Sequence, residues 1–418
     1  MRMKRNVVSI VDHGLCVGCG VCQDVCGYKC ITIKHDKDIN IPQVNNELCI
    51  ECGLCLKVCV GKGIQIGKLS KELFKTDNSF YDKYAGYIHS CFAGYSTNYD
   101  IRYHSASGGC LSHFLIYLLE KKIIDGAVVV NFQKTKPMAP NVFIAHTKEE
   151  ILSSQSSKYC VVSYEGIIKD LLARNGKFIV VGLPCHIEAF RKYAMIFKKL
   201  KDVVIGYFSI YCSSNRTMRS QDYLLYRYNI NPSEIKKFAY RDNGCLGNMC
   251  FYNKNDEIIK SIPYQHFWMG MKGFFNVPRC SLCIDHYGEL ADVCFGDIHV
   301  GDYKKDNIGI NSLCSRSSYW TTQLKHAMED GYLFLEEISI KTLNSSQGYI
   351  MRQKKGRGVA AAYRLRTLLG MNNPQYDIPF IAEPNIIDLF KDAVKYLMRF
   401  IGRHRTFWFI IKFLDRNK

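Results

Sequence analysis

From about Ala85 to Glu337, short apolar runs alternate with longer stretches in which apolar residues recur every three to four positions. The runs "DGAVVV" (125–130), "KFIVVG" (177–182) and "VVIGYFSIYC" (203–212) are short and rich in β-branched and aromatic residues, so they predict buried strands. Between them, "GGCLSHFLIYLLEKK" (108–122), "YEGIIKDLLARNG" (164–176) and "HIEAFRKYAMIFKKL" (186–200) carry the helical period. Ser107 reads as an N-cap and Gly176 as a helix stop. Strands alternating with helices predict an α/β domain. Around "KKFAYRD", "MCFYNK" and "EIIKSIPY", between Asn231 and Asn276, the pattern predicts short antiparallel strands. After Ser346 it becomes basic and helical, and "NIIDLFKDAVKYLMRFIGRHRTFWFIIKFLDRNK" predicts one or two amphipathic helices.

Before Gly67, hydrophobic periodicity gives way to cysteine spacing. "CVGCGVCQDVCGYKC" (16–30) and "CIECGLCLKVC" (49–59) both contain C-x-x-C-x-x-C-x-x-x-C. Three close thiolates can hold three corners of a 4Fe–4S cube, while the fourth, carried away by a helical turn, ligates the other cube, as in two-cluster ferredoxins. The spacing therefore assigns Cys16, Cys19, Cys22 and Cys59 to one cluster and Cys49, Cys52, Cys55 and Cys26 to a second. Gly18, Gly20 and Gly53 allow close backbone approach to the inorganic sulfides. Zinc is the competing reading, but it usually takes two close cysteines and two distant ones rather than three in a row plus one. Gly27 and Val60 stand where proline follows the fourth cysteine in bacterial ferredoxins, and each keeps an N–H that a sulfur can accept. Cys30 is left over, either a buried thiol or a substitute for Cys26.

A chain of 418 residues with 47% hydrophobic and 22% charged residues has room for two or three soluble domains. No apolar run reaches membrane-spanning length, and no secretory h-region follows the basic start, so the cytoplasm is the expected compartment. Eight of the twenty cysteines sit in the two metal-type runs, which favours reduced metal thiolates over a disulfide scaffold. The net charge of +18 is uneven, with 14 Lys and Arg against 5 Asp and Glu after residue 350. That balance suits an anionic partner, such as an acidic electron carrier, an acidic substrate or anionic lipid. Nucleic acid is not expected, because no basic run is interleaved with stacking aromatics. In the tail, "TFWFIIKFL" (406–414) is flanked by Arg403, Arg405, Lys412 and Arg416. It either packs on its own domain or makes a peripheral contact with an anionic membrane.

Further candidate chemistry lies in "SASGGC" (105–110), a small-residue turn opening a helix and suited to a pyrophosphate, and in "GLPCH" (182–186) at a strand end. The order of the cysteine runs, "SASGG", "SSKY", "GLPCH", "YCSS", "FAYRD", "PRCSLC" and "ADVCFGD" resembles the coenzyme F-420 hydrogenase/dehydrogenase beta-subunit family over roughly residues 10 to 340. The resemblance implies a ferredoxin-like α+β domain (1–68), an α/β flavin-binding domain with a mixed sheet (69–345) and a basic helical tail (346–418). It implies FAD held by Ser105, Ser107, Gly108 and Gly109 at its phosphates and by Ser157, Lys158 and Tyr159 at the flavin. It also implies a third 4Fe–4S cluster on Cys185, Cys212, Cys280 and Cys283, the null being zinc or ordinary buried thiols.

The expected activity is that of an iron–sulfur flavoprotein oxidoreductase. It would pass electrons between a one-electron carrier such as ferredoxin and a two-electron acceptor, a deazaflavin coenzyme or another organic substrate. For bacterial members the resemblance adds a place in polysaccharide biosynthesis. The alternative is a non-catalytic electron-transfer subunit of a larger complex. Leu183 and His186 depart from the family's usual turn, and His186 is either a proton donor or a hydrogen-bonded residue at the helix start. Arg241 and Asp242 read as an ion pair or as substrate contacts, and the pairs Gly296–Asp297 and Gly301–Asp302 read as turns.

Overall fold

The computed structural model describes residues 5–271 and 273–416. In the N-terminal unit each cysteine loop runs into a short helix, Val21–Asp24 or Leu54–Val58, capped by Gly20 (φ 77°) or Gly53 (φ 74°) in the left-handed region. The strands Ile31–Lys34 and Ile41–Val44 pair antiparallel beside them, which makes the unit α+β as expected.

This unit is fastened to the rest of the chain at several points. Asp24 accepts hydrogen bonds from the N–H groups of Gly166 (2.8 Å) and Ile168 (3.0 Å), at the start of the helix Ile167–Leu172. Tyr164 N–H donates to the Cys19 carbonyl at 2.9 Å. The Lys192 ammonium donates to the carbonyls of Cys59 (2.7 Å) and Gly63 (3.0 Å). The short strand Gly63–Ile64 pairs in parallel with Gln375–Tyr376 from the C-terminal region.

The α/β body is built on an eight-stranded mixed sheet. Its spatial order is Leu333–Glu337, Ser90–Ser96, Asn311–Ser315, Val293–Asp297, Val204–Ile210, Phe178–Gly182, Gly126–Phe132 and Pro140–Ala145. The four strands from Val293–Asp297 to Gly126–Phe132 are mutually parallel, and antiparallel neighbours extend the sheet on both sides. Alternation along the strands divides two cores. Val128, Val180 and Tyr207 face one with Ile187 and Phe190, while Ala127, Val129, Ile179 and Phe208 face the other with Phe114 and Trp320.

Three local readings change. The helix Cys110–Glu120 is capped by Gly109 (φ 76°), not Ser107, whose hydroxyl instead donates to the Ile310 carbonyl at 2.7 Å. The next predicted helix is helical only over Ile167–Leu172, so Gly176 lies beyond its end, in a turn against Asp125. The third begins at Pro184, two residues early, because proline fits the first helical position.

The three antiparallel strands predicted after Asn231 are Lys237–Asp242, Asn248–Tyr252 and Ile258–Pro263. The C-terminal region is helical, with Ile340–Lys354, Arg357–Leu368, Ile386–Arg403 and Trp408–Arg416. One contact there is a strong stability determinant. Lys355 Nζ meets Glu289 Oε1 at 2.6 Å with both side chains buried (3% and 0% exposed). Lys355→Met leaves a buried carboxylate unpaired and is expected to cost about 3–5 kcal/mol. Thermal unfolding of the loaded protein checks this, with Lys355→Met/Glu289→Gln expected to lose less. A cost below about 1 kcal/mol would mean the pair behaves as a surface contact.

Candidate redox site

Two cavities meet at the carboxyl ends of the parallel strands, where open α/β sheets bind ligands. The smaller, about 30 Å³, is lined by Cys185, Cys212, Cys280 and Cys283. The strand Phe178–Gly182 turns through Leu183 into the helix Pro184–Ile196, which places Cys185 in its first turn. Cys212 follows the strand Val204–Ile210, its N–H donating to the His286 carbonyl at 3.0 Å. The 3-10 turn Pro278–Leu282 supplies Cys280, whose sulfur accepts from Asn215 N–H at 3.3 Å, and Cys283 follows it.

Burial, with repulsion from Cys280 and Cys283 against the pull of Lys354, pushes the Cys212 thiol up to about 12. Burial and the other three sulfurs likewise raise Cys185. Burial also raises Cys283, so Cys185, Cys212 and Cys283 are poor thiolates on their own, and a cationic iron–sulfur centre would supply the charge that ionises them. Lys354, itself 4% exposed, brings an ammonium to Cys283, Cys212 and Cys280. The donor set fits a 4Fe–4S cube.

The N-terminal cysteines crowd together. Cys22 feels the charge of Cys19, Cys59, Cys16 and Cys55, and Cys16 that of Cys59 and Cys19. Cys55 feels Cys52 and Cys49. Cys30 is buried with its sulfur 3.3 Å from that of Cys26, and both Cys26 and Cys49 act on it. Among the described residues, no three His, Cys, Asp or Glu side chains converge tightly enough for one metal ion. The N–H groups that face Cys59 come from Gly61 and Lys62, and those that face Cys26 from Tyr28, Cys30 and Ile31. Gly27 and Val60 are not among these donors.

The larger cavity, about 580 Å³, is lined by Ser105, Ser107, Gly109, Ser157, Lys158 and Tyr159, among others. Gly108 does not line it; a Cβ there would press on Asn311 N and Gly94 O at 2.7 Å, so its role is packing. The hydroxyls of Ser105 and Ser107 are engaged by the carbonyls of Ile101 and Ile310, which leaves the helix start rather than these hydroxyls to meet a ligand. Lys158 Nζ donates to the carbonyls of Ser154, Gln155 and Ser156, while burial pushes its ammonium down to about 7.

Sequence reasoning missed several wall residues. Arg216, 2% exposed, stacks over Trp268 at 4.4 Å and donates to Ser214 Oγ, while its Nε has no partner. Arg241 pairs with Asp297 at 2.9 Å rather than with Asp242. Asp242 instead meets His104 Nδ1 and Tyr252 Oη, each at 2.7 Å. Asp297 ends the strand Val293–Asp297 and lines the cavity, so the first "GD" pair is not a turn. Burial pushes its carboxyl up, but Arg241 and His299 more than reverse this and hold it well below its ordinary value. Gly301–Asp302 does open a 3-10 turn.

His186 is 2% exposed and its Nδ1 accepts from Leu183 N–H at 3.3 Å, the helix-start role. Of the remaining cysteines, Cys91, Cys110, Cys160, Cys250, Cys294 and Cys314 are buried in the core and Cys245 is half-buried.

The two cavities share Leu183, His186, Cys212, Asn215, Cys280 and Lys354. On its other side the small one is lined by Val17 and Val60, next in sequence to Cys16 and Cys59. Family models for the N-terminal and C-terminal parts of the coenzyme F420 hydrogenase/dehydrogenase beta subunit match residues 91–169 and 175–341, after a 4Fe-4S dicluster domain at 15–62. The chain belongs to this beta-subunit family.

Family membership accounts for the relatives found. A coenzyme F420-dependent sulfite reductase of Methanocaldococcus jannaschii is 26% identical over 69% of this chain, which spans only 43% of that protein. A coenzyme F420 hydrogenase subunit beta of Methanosarcina barkeri is 25% identical over 52% of this chain and 73% of its own. A chain of the F420-reducing [NiFe] hydrogenase complex from Methanosarcina barkeri superposes with a TM-score of 0.54 at 21% identity. That superposition covers 72% of this chain and 99% of the other, and it shows a shared fold. These relatives are named for redox reactions of coenzyme F420, and this chain joins a 4Fe-4S dicluster domain to the family's α/β body.

Proposed function

We propose that this chain is an iron–sulfur flavoprotein in which electrons cross from the dicluster unit, past the four-cysteine chamber, to FAD in the large cavity. The contiguity of the three sites carries the reading, since Cys212, Cys280 and Lys354 line both cavities and Val17 and Val60 close the chamber on the dicluster side. Bound FAD would take electrons singly and pass them in pairs to an acceptor such as a deazaflavin coenzyme.

The chain's own residues supply binding and electrostatics. The first turn of Cys110–Glu120 borders the cavity at Gly109, Leu111 and Ser112, where the positive end of its dipole would stabilise a pyrophosphate, while the Cys110 N–H is taken by Asn311 Oδ1. The unpartnered Arg216 Nε offers a charge-assisted hydrogen bond to an anionic group. The ammonium of Lys158 is held by three carbonyls, so it supports the wall electrostatically without sweeping into the space. The second ligand set reaches the surface at exposed Cys52, amid exposed Tyr28, Leu48 and Ile50, with Lys29 and Lys57 nearby. This apolar patch, with Glu47 and Glu51 as well as the lysines around it, suits the docking of a one-electron carrier or a partner subunit.

Iron, sulfide and flavin counts on anaerobically purified protein test the reading, with about twelve iron and one FAD per chain expected. About eight iron without flavin would reduce the chain to a relay. An acceptor screen should begin with the deazaflavin coenzyme and go on to nucleotide-sugar and lipid-linked glycan substrates. Arg216→Met is expected to weaken flavin retention about tenfold, equivalent to about 1.4 kcal/mol, with iron content unchanged. Equilibrium titration of the flavin checks this, and an unchanged affinity would remove Arg216 from the site.

A further inference from the structure

The helix Ile386–Arg403 is amphipathic with its faces reversed relative to an ordinary surface helix. Its polar side is turned to the protein. Asp392 is 1% exposed and meets Lys395 at 3.1 Å, Arg399 donates to Ser281 Oγ at 3.0 Å, and Arg403 reaches Asp38 at 3.0 Å. Gly402 lies against the Phe274 backbone, where a Cβ would collide with the carbonyl oxygen, and Trp408 Nε1 donates to Gly402 O at 2.9 Å. These contacts fix the rotation of the helix about its own axis.

Its apolar side faces outward. Ile386, Phe390, Val394, Leu397 and Phe400 recur at helical spacing and are 76%, 69%, 37%, 60% and 52% exposed. The next helix, Trp408–Arg416, anchors itself through buried Trp408 and Ile411 and adds exposed Phe409, Phe413 and Leu414 to the surface. The tail expectation centred on "TFWFIIKFL" thus divides, with part of that run packed on the domain and part facing out. The side chain of Arg416 lies outside the described residues. Among the described side chains from Ile386 to the end of the second helix, the exposed charges are basic: Lys391, Arg405 in the turn between the helices, and Arg403, which is paired with Asp38. No described helix is long and apolar enough to cross a membrane.

We propose that this face docks peripherally on an anionic membrane surface, with the apolar stripe in the headgroup–acyl boundary and Lys391 and Arg405 among the lipid phosphates. A large exposed apolar patch rimmed by polar residues marks an interaction site, and an all-basic rim complements anionic lipid. A symmetric pair of copies would instead bring Lys391, Arg403 and Arg405 toward the same cations of the other copy. The element lies beyond residue 341, where the match to the family models ends.

Flotation of the cofactor-loaded protein with phosphatidylcholine vesicles, with and without about one third phosphatidylglycerol, tests this. The protein should float with the anionic vesicles and be released by salt. Phe390→Asp/Leu397→Asp/Phe400→Asp should lower the bound fraction about tenfold or more at unchanged iron content. Lys391→Glu/Arg405→Glu, which leaves the apolar stripe intact, should abolish the preference for anionic vesicles. Failure to float with either vesicle, or flotation indifferent to both variants, overturns the proposal. So does a lipid-free dimer in sedimentation velocity that the triple variant dissolves, which would give the face to a second copy.

Discussion

Cys280→Ser is expected to lower iron and acid-labile sulfide from about twelve to about eight per chain while the dicluster signals persist. Cys280 presents its sulfur to both cavities and accepts the Asn215 N–H, and it shares the chamber with Cys185, Cys212 and Cys283. Serine keeps the volume but loses the soft thiolate that iron–sulfur clusters prefer. The dicluster ligands sit in their own loops and should be unaffected. Flavin reduction from the dicluster unit should then slow about a hundredfold or more, equivalent to about 2.7 kcal/mol or more of added barrier. Iron and sulfide assays with stopped-flow absorbance check both parts. A variant that keeps its iron and its rate would remove these four cysteines from the electron path.

Lys354→Met should shift a potential rather than a composition. The buried ammonium lies against Cys283, Cys212 and Cys280, and burial opposes its charge while the sulfurs favour it. A fixed positive charge stabilises the more negative, reduced state of a neighbouring cluster, so removing it lowers the midpoint potential. A decrease of about 60 mV, one decade in a one-electron equilibrium, is expected. Potentiometric titration followed by paramagnetic resonance measures it, with Lys354→Arg expected to retain most of the wild-type value. An unchanged or raised potential would mean the ammonium does not act on the site.

What the sequence disclosed was what it encodes locally. The cysteine runs announce their ligand sets because three of four ligands sit within one loop. Three of the four parallel strands were legible as apolar runs, and Val293–Asp297 was not. The strands Ser90–Ser96 and Asn311–Ser315 were not, because "SCFAGYS" and "NSLCS" mix small polar residues into almost wholly buried positions. Cys185, Cys212, Cys280 and Cys283 lie across a hundred residues and came only with the family resemblance, since topology rather than spacing joins them. Lys354 and Arg216 carried no motif, and although Asp297 closes "ADVCFGD", the glycine before it suggested a turn where a strand ends. Helical periodicity after Asn385 gave the composition of each face but not its direction, which is set by Asp38, Ser281 and Phe274 far away in the chain.

The fastening of the dicluster unit sets how the molecule keeps time. Domains that carry electrons on a flexible tether must swing between donor and acceptor, and solvent viscosity then limits turnover. Here Asp24 is locked to the helix at Gly166, Lys192 grips Cys59 and Gly63, and a strand from Gln375–Tyr376 closes the far side. With the unit held at these points, the electron path proposed above would run over a fixed span, and diffusion would be left to the outside carrier and the final acceptor.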